Sequence, residues 1–164
     1  MLARLPHHVV VLPGNHDPLL ADASEGWERL AEHENLVVVG LPAETVVFPE
    51  LGLEIWGRPH RDYSDMRPLS DPPARGASKR IAVAHGHFSP KRPAPNELAP
   101  AWLFFPDELA SLDADYVALG HWNVARQVGP EHPPAYYSGS WDYAGSVNIV
   151  RLTEAGAEVS RLSV

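Results

Sequence analysis

The most regular feature of this chain is a series of short apolar runs that each end in a polar loop. Three of these runs are rich in Val, Ile, Leu and Ala and span four or five residues: 9–12, 80–84 and 116–119. Because a buried helix needs a longer run than this, short β-branched runs bounded by turn residues predict buried strands. The chain is therefore predicted to contain a sheet whose strands deliver functional loops.

The segments between these runs predict further strands and short helices. Ser24 is placed to cap a helix over residues 25–31. A turn at 50–52 predicts a hairpin between strands at 45–48 and 51–56. The remaining predicted elements are a strand at 36–39, a long surface loop at 57–79, a helix at 107–112 begun by Pro106, and a closing antiparallel meander at 136–138, 147–152 and 158–162.

The composition is that of an ordinary globular protein. Hydrophobic residues make up 45% of the chain and charged residues 21%, which is sufficient for a buried core. A length of 164 residues suits a single domain over residues 1–164. No apolar run approaches the roughly 18 to 20 residues that cross a bilayer, and residues 1–8 contain no signal-peptide core. We therefore expect a cytoplasmic protein that does not contact membranes.

Charge and cysteine content restrict the candidate chemistry. The formal charge of -8 gives no general attraction to nucleic acid, so a DNA substrate would need a local basic patch or a metal-charged cleft. Cysteine is absent from the sequence, which excludes disulfides and thiolate ligands within it. Any metal must therefore be bound by imidazole, carboxylate or amide groups.

Each of the three strand-end loops contains glycine and histidine. The loops are Gly14-Asn15-His16-Asp17, His85-Gly86-His87 and Gly120-His121-Trp122-Asn123. In layered α/β proteins, ligands gather at the carboxyl ends of the strands, so these loops are expected to converge. Convergent His and Asn side chains suit a divalent metal such as Mn, Fe, Co or Zn, and the glycines allow the backbone to approach closely.

The order of these motifs resembles that of the calcineurin-like metallophosphoesterase superfamily. Gly-Asn-His-Asp at 14–17, the strand-terminal His85 and Gly-His at 120–121 follow one another as in that superfamily, and the resemblance spans nearly the whole chain. Residues 115–121 and 136–140 are most similar to the double-strand-break repair exonuclease branch. The resemblance implies an α/β fold, a metallophosphoesterase-type layered β-sandwich flanked by helices, with its N-terminal part truncated.

The resemblance also implies roles for individual residues. Asn15, His85 and His121 would ligate the second of the two metals, and His16 would assist the transition state or the leaving group. Asp17 is the candidate to orient His16, and the alternative for Asp17 is an aspartate that hydrogen-bonds its own turn. Manganese is the first choice of metal, with Fe, Co, Zn and Ni as alternatives.

The sequence departs from the superfamily at the first metal. The motifs Asp-x-His and Gly-Asp-x-x-Asp, which supply first-metal ligands, do not occur before Gly14, and Asn123 stands where the superfamily has a second imidazole. Three explanations remain open: the gene product begins upstream of Met1, a complementing chain or second copy completes the site, or the polypeptide is a weak or inactive relic.

Simpler explanations exist for the candidate residues. The loop at 14–17 is typical of a turn, and His85 alone could be a core histidine. His87 is expected to support the ligands from behind or to lie on the surface rather than bind metal. Asn123 is either a weak replacement ligand or a turn amide. Trp122 is expected to pack or to line the cleft, with substrate stacking as the less favoured use.

Other histidines and arginines have no setting that indicates chemistry. Five histidines are expected to be solvated surface residues: His7, His8, His33, His60 and His132. Arg58, His60 and Arg61 follow a strand and could contact phosphate, but an exposed basic loop is the favoured interpretation.

These observations predict a hydrolase. The expected reaction is cleavage of a phosphoester by metal-activated water, with a phosphodiester, including DNA, as the favoured substrate. A partner nuclease ATPase subunit is suggested only by the resemblance. The alternative is a scaffold of the same fold that is catalytically weak or inactive and binds a protein partner.

Overall fold

A computed structural model describes residues 5–164 as a mixed α/β structure that is mostly sheet. Within these residues the strands are β1 (Val9–Val11), β2 (Leu36–Val38), β3 (Thr45–Phe48), β4 (Leu53–Gly57), β5 (Lys79–His85), β6 (His87–Phe88), β7 (Leu103–Phe104), β8 (Tyr116–Gly120), β9 (Arg126–Val128), β10 (Ala135–Tyr137), β11 (Ser146–Thr153) and β12 (Gly156–Ser163). The helices are α1 (Glu25–Ala31), α2 (Pro106–Ala110) and α3 (Trp141–Ala144).

A six-stranded mixed sheet in the order β3-β4-β5-β8-β10-β9 is the centre of the molecule. The four inner strands β4, β5, β8 and β10 are parallel to one another, and the edge strands β3 and β9 are antiparallel to their neighbours. The carboxyl ends of the four inner strands therefore lie along one border of the sheet, which runs across the strands and not along β3 or β9. We call this the carboxyl edge, and the opposite one the amino edge.

One face of this sheet carries the hydrophobic core. Alternate residues of β5 are buried, as expected for a strand with one face packed on the core. The core on this face includes Ala82, Ala84 and Val117 of the sheet. Phe104 and Leu109 belong to the same cluster of buried residues. The small side chains of β5 leave room for these larger residues from the segments around α2.

The other face of the sheet is partly covered by two separate strand pairs. β1 and β2 are parallel, and Leu12, just after β1, lines a cavity of about 220 Å³ together with Val83 and Ala118. β11 and β12 form an antiparallel hairpin, in which Asn148 Nδ2 donates a hydrogen bond to the Tyr116 hydroxyl at 3.5 Å. The second face therefore contacts both strand pairs and retains an apolar gap.

Buried charged side chains lie at the amino edge. Arg80 donates through Nε to Glu54, and both side chains are almost fully buried. The Arg80 guanidinium also donates to the carbonyls of Pro73 and Ala74, at 2.9 and 2.8 Å, while Glu54 accepts from the Gly76 amide at 3.0 Å. This ion pair fixes the end of the long loop at 58–78 to the sheet.

Most predicted elements occur close to their expected positions. α1 spans the predicted residues, although Ser24 bonds the Glu28 carboxylate and makes no side-chain cap. The β3–β4 hairpin is present, with Gly52 in the left-handed region at a φ of 57°. None of the helices formed by residues 5–164 is long and apolar enough to cross a bilayer. The expectations for residues 1–8 and for one domain over 1–164 extend beyond the described residues, which begin at Leu5.

The predicted closing meander is wrong in its connectivity. β10 pairs with β8 in parallel inside the six-stranded sheet, while β11 and β12 pair only with each other among the described residues. The apolar residues of β10 pack in the core, because Ala135 and Tyr137 are fully buried. The short strands β6, β7 and β9 and the one-turn helix α3 were not predicted from the sequence.

Candidate functional site

Four imidazoles lie together at the carboxyl edge, and we call them the histidine cluster: His60, His85, His87 and His121. The ring centroids of His85 and His121 are 5.3 Å apart, those of His60 and His85 are 5.5 Å apart, and those of His87 and His121 are 6.1 Å apart. The cluster forms because β4, β5 and β8 are parallel and each leads into a loop that carries histidine. The loop after β1 joins them from the neighbouring strand pair.

His85 is held between two glycines. A Cβ atom built on Gly14 would lie 2.8 Å from the imidazole Cε1, and one on Gly120 would lie 2.9 Å from Nδ1. Any other residue at either position would displace the ring, so these glycines are required for close approach. Nε2 of His85 hydrogen-bonds the amide oxygen Oδ1 of Asn15 at 2.7 Å. The loops containing Asn15, His85 and His121 therefore meet, as the sequence predicts.

Burial keeps the imidazoles of His85 and His121 neutral near pH 7. Burial first, and then repulsion from charge on His121 and His60, lower the pKa of His85 to about 4. The pKa of His121 is also lowered, first by burial and then by repulsion from His87, His60 and His16. A neutral imidazole offers a lone pair, so both rings are in the state that binds metal.

The backbone is strained at two residues beside the cluster. His121 has a φ of 110° and Trp102 a φ of 55°, and neither is glycine. Their rings lie 6.2 Å apart. Such conformations cost about 1–3 kcal/mol each and persist only where surrounding contacts enforce them. For Trp102 those contacts include a hydrogen bond from its amide to Asp65 and one from its indole to the Ser64 carbonyl at 3.2 Å.

His87 is bound to the wall of the cleft. Trp122 Nε1 lies 3.1 Å from His87 Nδ1, and because an indole N–H can only donate, Nδ1 must accept. Neutral His87 therefore carries its proton on Nε2, and burial lowers its pKa. With Nδ1 engaged and Nε2 protonated, His87 is arranged as a hydrogen-bond donor. This agrees with the sequence-based preference for a supporting role over that of a metal ligand.

The expectation that His60 is a solvated surface residue is wrong. His60 is fully buried and hydrogen-bonds the backbone oxygen of His85 through Nε2 at 2.9 Å. Its Nδ1 atom is buried without a hydrogen-bond partner among the described residues. His60 lies three residues after the carboxyl end of β4, whereas His85 is the last residue of β5, and this position shortly after a strand was the signal available in the sequence.

His16 and Asp17 occupy the mouth of the site. His16 is exposed, and repulsion from charge on His16 is the smallest of the causes that lower the pKa values of His85 and His121. Asp17 Oδ1 accepts a hydrogen bond from the Gly14 amide at 3.0 Å. No hydrogen bond joins Asp17 to the His16 side chain among residues 5–164, so the turn-forming alternative is the role that the geometry supports.

The remaining candidates lie outside the cluster. Asn123 is exposed, and its backbone oxygen accepts from the Ser140 amide at 3.1 Å. Arg58 bonds Ser70, and Arg61 bonds Glu44 and the Gly40 carbonyl. The other four histidines predicted to lie on the surface are exposed: His7, His8, His33 and His132.

A single divalent ion at the carboxyl edge would have to be held by Asn15, His85 and His121. Within residues 5–164, no three His, Cys, Asp or Glu side chains lie close enough to hold a metal, so Asn15 is needed as a ligand beside two imidazoles. Asn15 Oδ1 and His85 Nε2 are 2.7 Å apart, a few tenths of an ångström closer than the roughly 3 Å expected for adjacent ligands at metal bonds of about 2.1 Å. The close contacts of Gly14 and Gly120 with the imidazole leave little freedom in the position of His85.

Comparisons of the chain with protein-family models, with curated proteins and with solved structures gave no match. Any function assigned to this site must therefore follow from its own chemistry.

Proposed function

We propose that this chain is a metal-dependent phosphoesterase of the calcineurin-like type. The observation that carries the proposal is the meeting of Asn15, His85 and His121 at the carboxyl edge, with His85 bonded to Asn15 and 5.3 Å from His121 between ring centroids. Two neutral imidazoles and an amide oxygen suit Mn²⁺ first, with Fe, Co, Zn and Ni as alternatives. The ligand set accounts for one ion only, and a second ion is not part of the proposal.

The chemistry proposed for the metal is general to such sites. When bound, a divalent ion lowers the pKa of water and polarises a phosphoryl oxygen. The chain contributes the rest through its own groups. Gly14 and Gly120 hold His85 in place, His60 fixes the backbone oxygen of His85, and the Nε2–H of His87 is a donor beside His121.

We assign His16 to the substrate rather than to the metal. Its imidazole lies at the open mouth, close enough to His85 and His121 to affect their pKa values. There it would hydrogen-bond a phosphoryl oxygen or give a proton to the leaving oxygen. An imidazolium that gives a proton to the leaving oxygen has both nitrogens protonated and no lone pair for a metal, so the acid role and metal ligation exclude one another.

The proposed substrate is a phosphodiester, and DNA is included in that class. A metallophosphoesterase-type layered sandwich is part of the same proposal. It is supported by the two strand pairs that contact the second face of the sheet through Leu12 and Asn148.

The test is hydrolysis of bis(4-nitrophenyl) phosphate by protein loaded with Mn²⁺, combined with metal analysis of three variants. His121→Ala is expected to lower bound Mn²⁺ and turnover together. His16→Ala is expected to lower turnover by roughly 10²- to 10⁴-fold at unchanged Mn²⁺ content. His132→Ala is the matched control, because His132 is exposed, and it should change neither quantity. Loss of Mn²⁺ from His16→Ala would reassign His16 as a ligand.

A scaffold that binds a protein partner is the second candidate. It is favoured by the absence, among residues 5–164, of three converging ionisable ligands. It is opposed by the cost of keeping several polar rings buried together without a ligand. Protein purified without chelator that contains no transition metal, and that neither binds added Mn²⁺ nor cleaves the diester, would support the scaffold.

A further inference from the structure

A cavity lined by Trp122 lies beside the histidine cluster. Its volume is about 620 Å³, within the range of roughly 300–1,000 Å³ typical of small-molecule sites. Its lining is mainly aromatic and proline side chains, including Phe88, Trp122 and Pro106, with Arg126 as its one charged residue. We call it the aromatic cavity. Neither the metal ligands nor His16 line it.

The wall formed by Trp122 is rigid. Its indole stacks on Tyr137 with centroids 4.4 Å apart and planes at 12°. Tyr137 is fully buried, and its hydroxyl donates to the Gly86 carbonyl at 2.7 Å and accepts from the Phe88 amide at 3.0 Å. One face of the indole is covered by this fixed ring. A ligand that stacks on Trp122 must therefore use the other face.

The same indole connects the aromatic cavity to the histidine cluster. Trp122 Nε1 donates to His87 Nδ1 at 3.1 Å, and the His87 and His121 rings are 6.1 Å apart. Trp122 also follows His121 directly in the chain. A group attached to a phosphate at the cluster would therefore need only a short extension to reach the cavity.

A cation stands at the rim of the aromatic cavity. Arg126 pairs with Tyr137 across β9 and β10, and directly opposed residues project from the same face of a sheet. Arg126 is exposed and has no ion pair with any residue in the described part of the chain. Its guanidinium is therefore available to a ligand, in a protein whose net charge is -8.

We propose that the aromatic cavity binds a planar aromatic group of the substrate, stacked on the open face of Trp122, with Arg126 contacting a polar group at the ring's outer side. The inference rests on the proposed phosphoesterase function, since it places the ring next to a phosphoester at the histidine cluster. A nucleobase and a simple aryl group share this chemistry.

The test is equilibrium binding of phosphonates, whose C–P bonds survive phosphoester hydrolysis, to the full chain in Mn²⁺. Benzylphosphonate is compared with ethylphosphonate, and the 5′-phosphonate analogue of adenosine monophosphate with its abasic ribose counterpart. Stacking should make the ring-bearing member of a pair bind roughly tenfold tighter. A preference in both pairs indicates a general aryl site, and one confined to the adenosine pair indicates a nucleobase site. Equal affinities within both pairs would overturn the proposal.

Substitutions at Trp122 and Arg126 test whether the aromatic cavity itself causes the preference for ring-bearing phosphonates. Trp122→Leu should abolish the aromatic preference, whereas Trp122→Phe should retain most of it without the N–H that bonds His87. Trp141→Ala is the control, because Trp141 is 73% exposed and lies outside the cavity. If Trp122→Leu does not fold, Arg126→Ala changes only an exposed edge residue and should weaken the adenosine analogue roughly threefold to tenfold. An aromatic preference that survives Trp122→Leu, or a wild-type affinity in Arg126→Ala, would contradict the assignment.

Failure of this inference can be distinguished from failure of the proposed function. Protein that prefers the ring-bearing phosphonates but cleaves no phosphodiester would overturn the proposed function and leave the aromatic cavity assigned. Protein that cleaves diesters and shows no aromatic preference would overturn only the proposal that the aromatic cavity binds a ring of the substrate.

Discussion

The amino and carboxyl edges of the six-stranded sheet differ in whether their buried polar side chains have hydrogen-bond partners. At the amino edge, Glu54 and Arg80 are buried as an ion pair, and the polar atoms of both side chains have partners. At the carboxyl edge, His85 and His121 have lowered pKa values and the buried His60 Nδ1 has no partner within residues 5–164. Polar groups that are fully bonded stabilise a fold, whereas groups held without partners are available to a ligand. The difference assigns stability to the amino edge and makes the carboxyl edge the place for the proposed chemistry.

The strongest expected effect breaks the amino edge. Glu54→Gln leaves the buried Arg80 charge unpaired, which costs about 3–5 kcal/mol in the free energy of unfolding. Urea unfolding measures this loss, and diester hydrolysis per folded molecule should stay unchanged. Glu44→Gln is the matched control, because Glu44 pairs with Arg61 at the surface and should cost less than about 1 kcal/mol. Equal losses in the two variants would remove the distinction between the edges.

The next prediction concerns a substitution that disturbs the histidine cluster at the carboxyl edge and leaves the fold intact. Gly120→Ala places a Cβ atom 2.9 Å from His85 Nδ1 and displaces the ring. Disturbing a ligand's support typically lowers metal affinity about tenfold to hundredfold, which calorimetric titration with Mn²⁺ would detect. Gly26→Ala is the control, because no atom lies within 4 Å of its added Cβ in α1. That change should leave Mn²⁺ affinity intact and raise stability by about 0.5–1 kcal/mol.

The third effect, and the smallest when taken over a single pH unit, is a pH dependence of stability in chelated protein. The pKa of His85 is about 4 when folded and 6.5 for an unperturbed histidine, so between these values the unfolded chain binds more protons. Stability therefore rises with pH from about 4 to 6.5, with a slope of at most about 1.4 kcal/mol per pH unit from this residue. His85→Gln should flatten the slope in that window, as followed by urea unfolding. An unchanged slope in the variant would show that folding does not lower the pKa of His85.

The carboxyl edge was the more predictable of the two from sequence. Short β-branched runs ending in Gly and His place Asn15, His85 and His121 at strand ends, and parallel strands bring their ends together. His60 was missed because it stands in a long polar loop, where composition favours solvent exposure. Only its position three residues after the end of β4 distinguishes it from the exposed histidines.

The amino edge could not be read from the sequence because its interactions join distant positions. Glu54 and Arg80 lie in predicted strands, where a single charged residue ordinarily points to solvent. Their burial depends on the register of β4 against β5, which pairs these two residues directly. The parallel pairing of β10 with β8 was missed for a similar reason, since a run of three apolar residues does not specify its neighbour.

The segment at 58–78 is tied down at both of its ends and in its middle. His60 exchanges backbone hydrogen bonds with Pro13 and Leu19, Leu69 is buried, and Arg80 bonds the carbonyl of Pro73. Tyr63, between the first two of these anchors, is 69% exposed. A protease that cut after Tyr63 would therefore produce two fragments that remain associated, with Asn15 and His60 in one and His85 and His121 in the other. The protein could in this way be reconstituted from two separately expressed pieces.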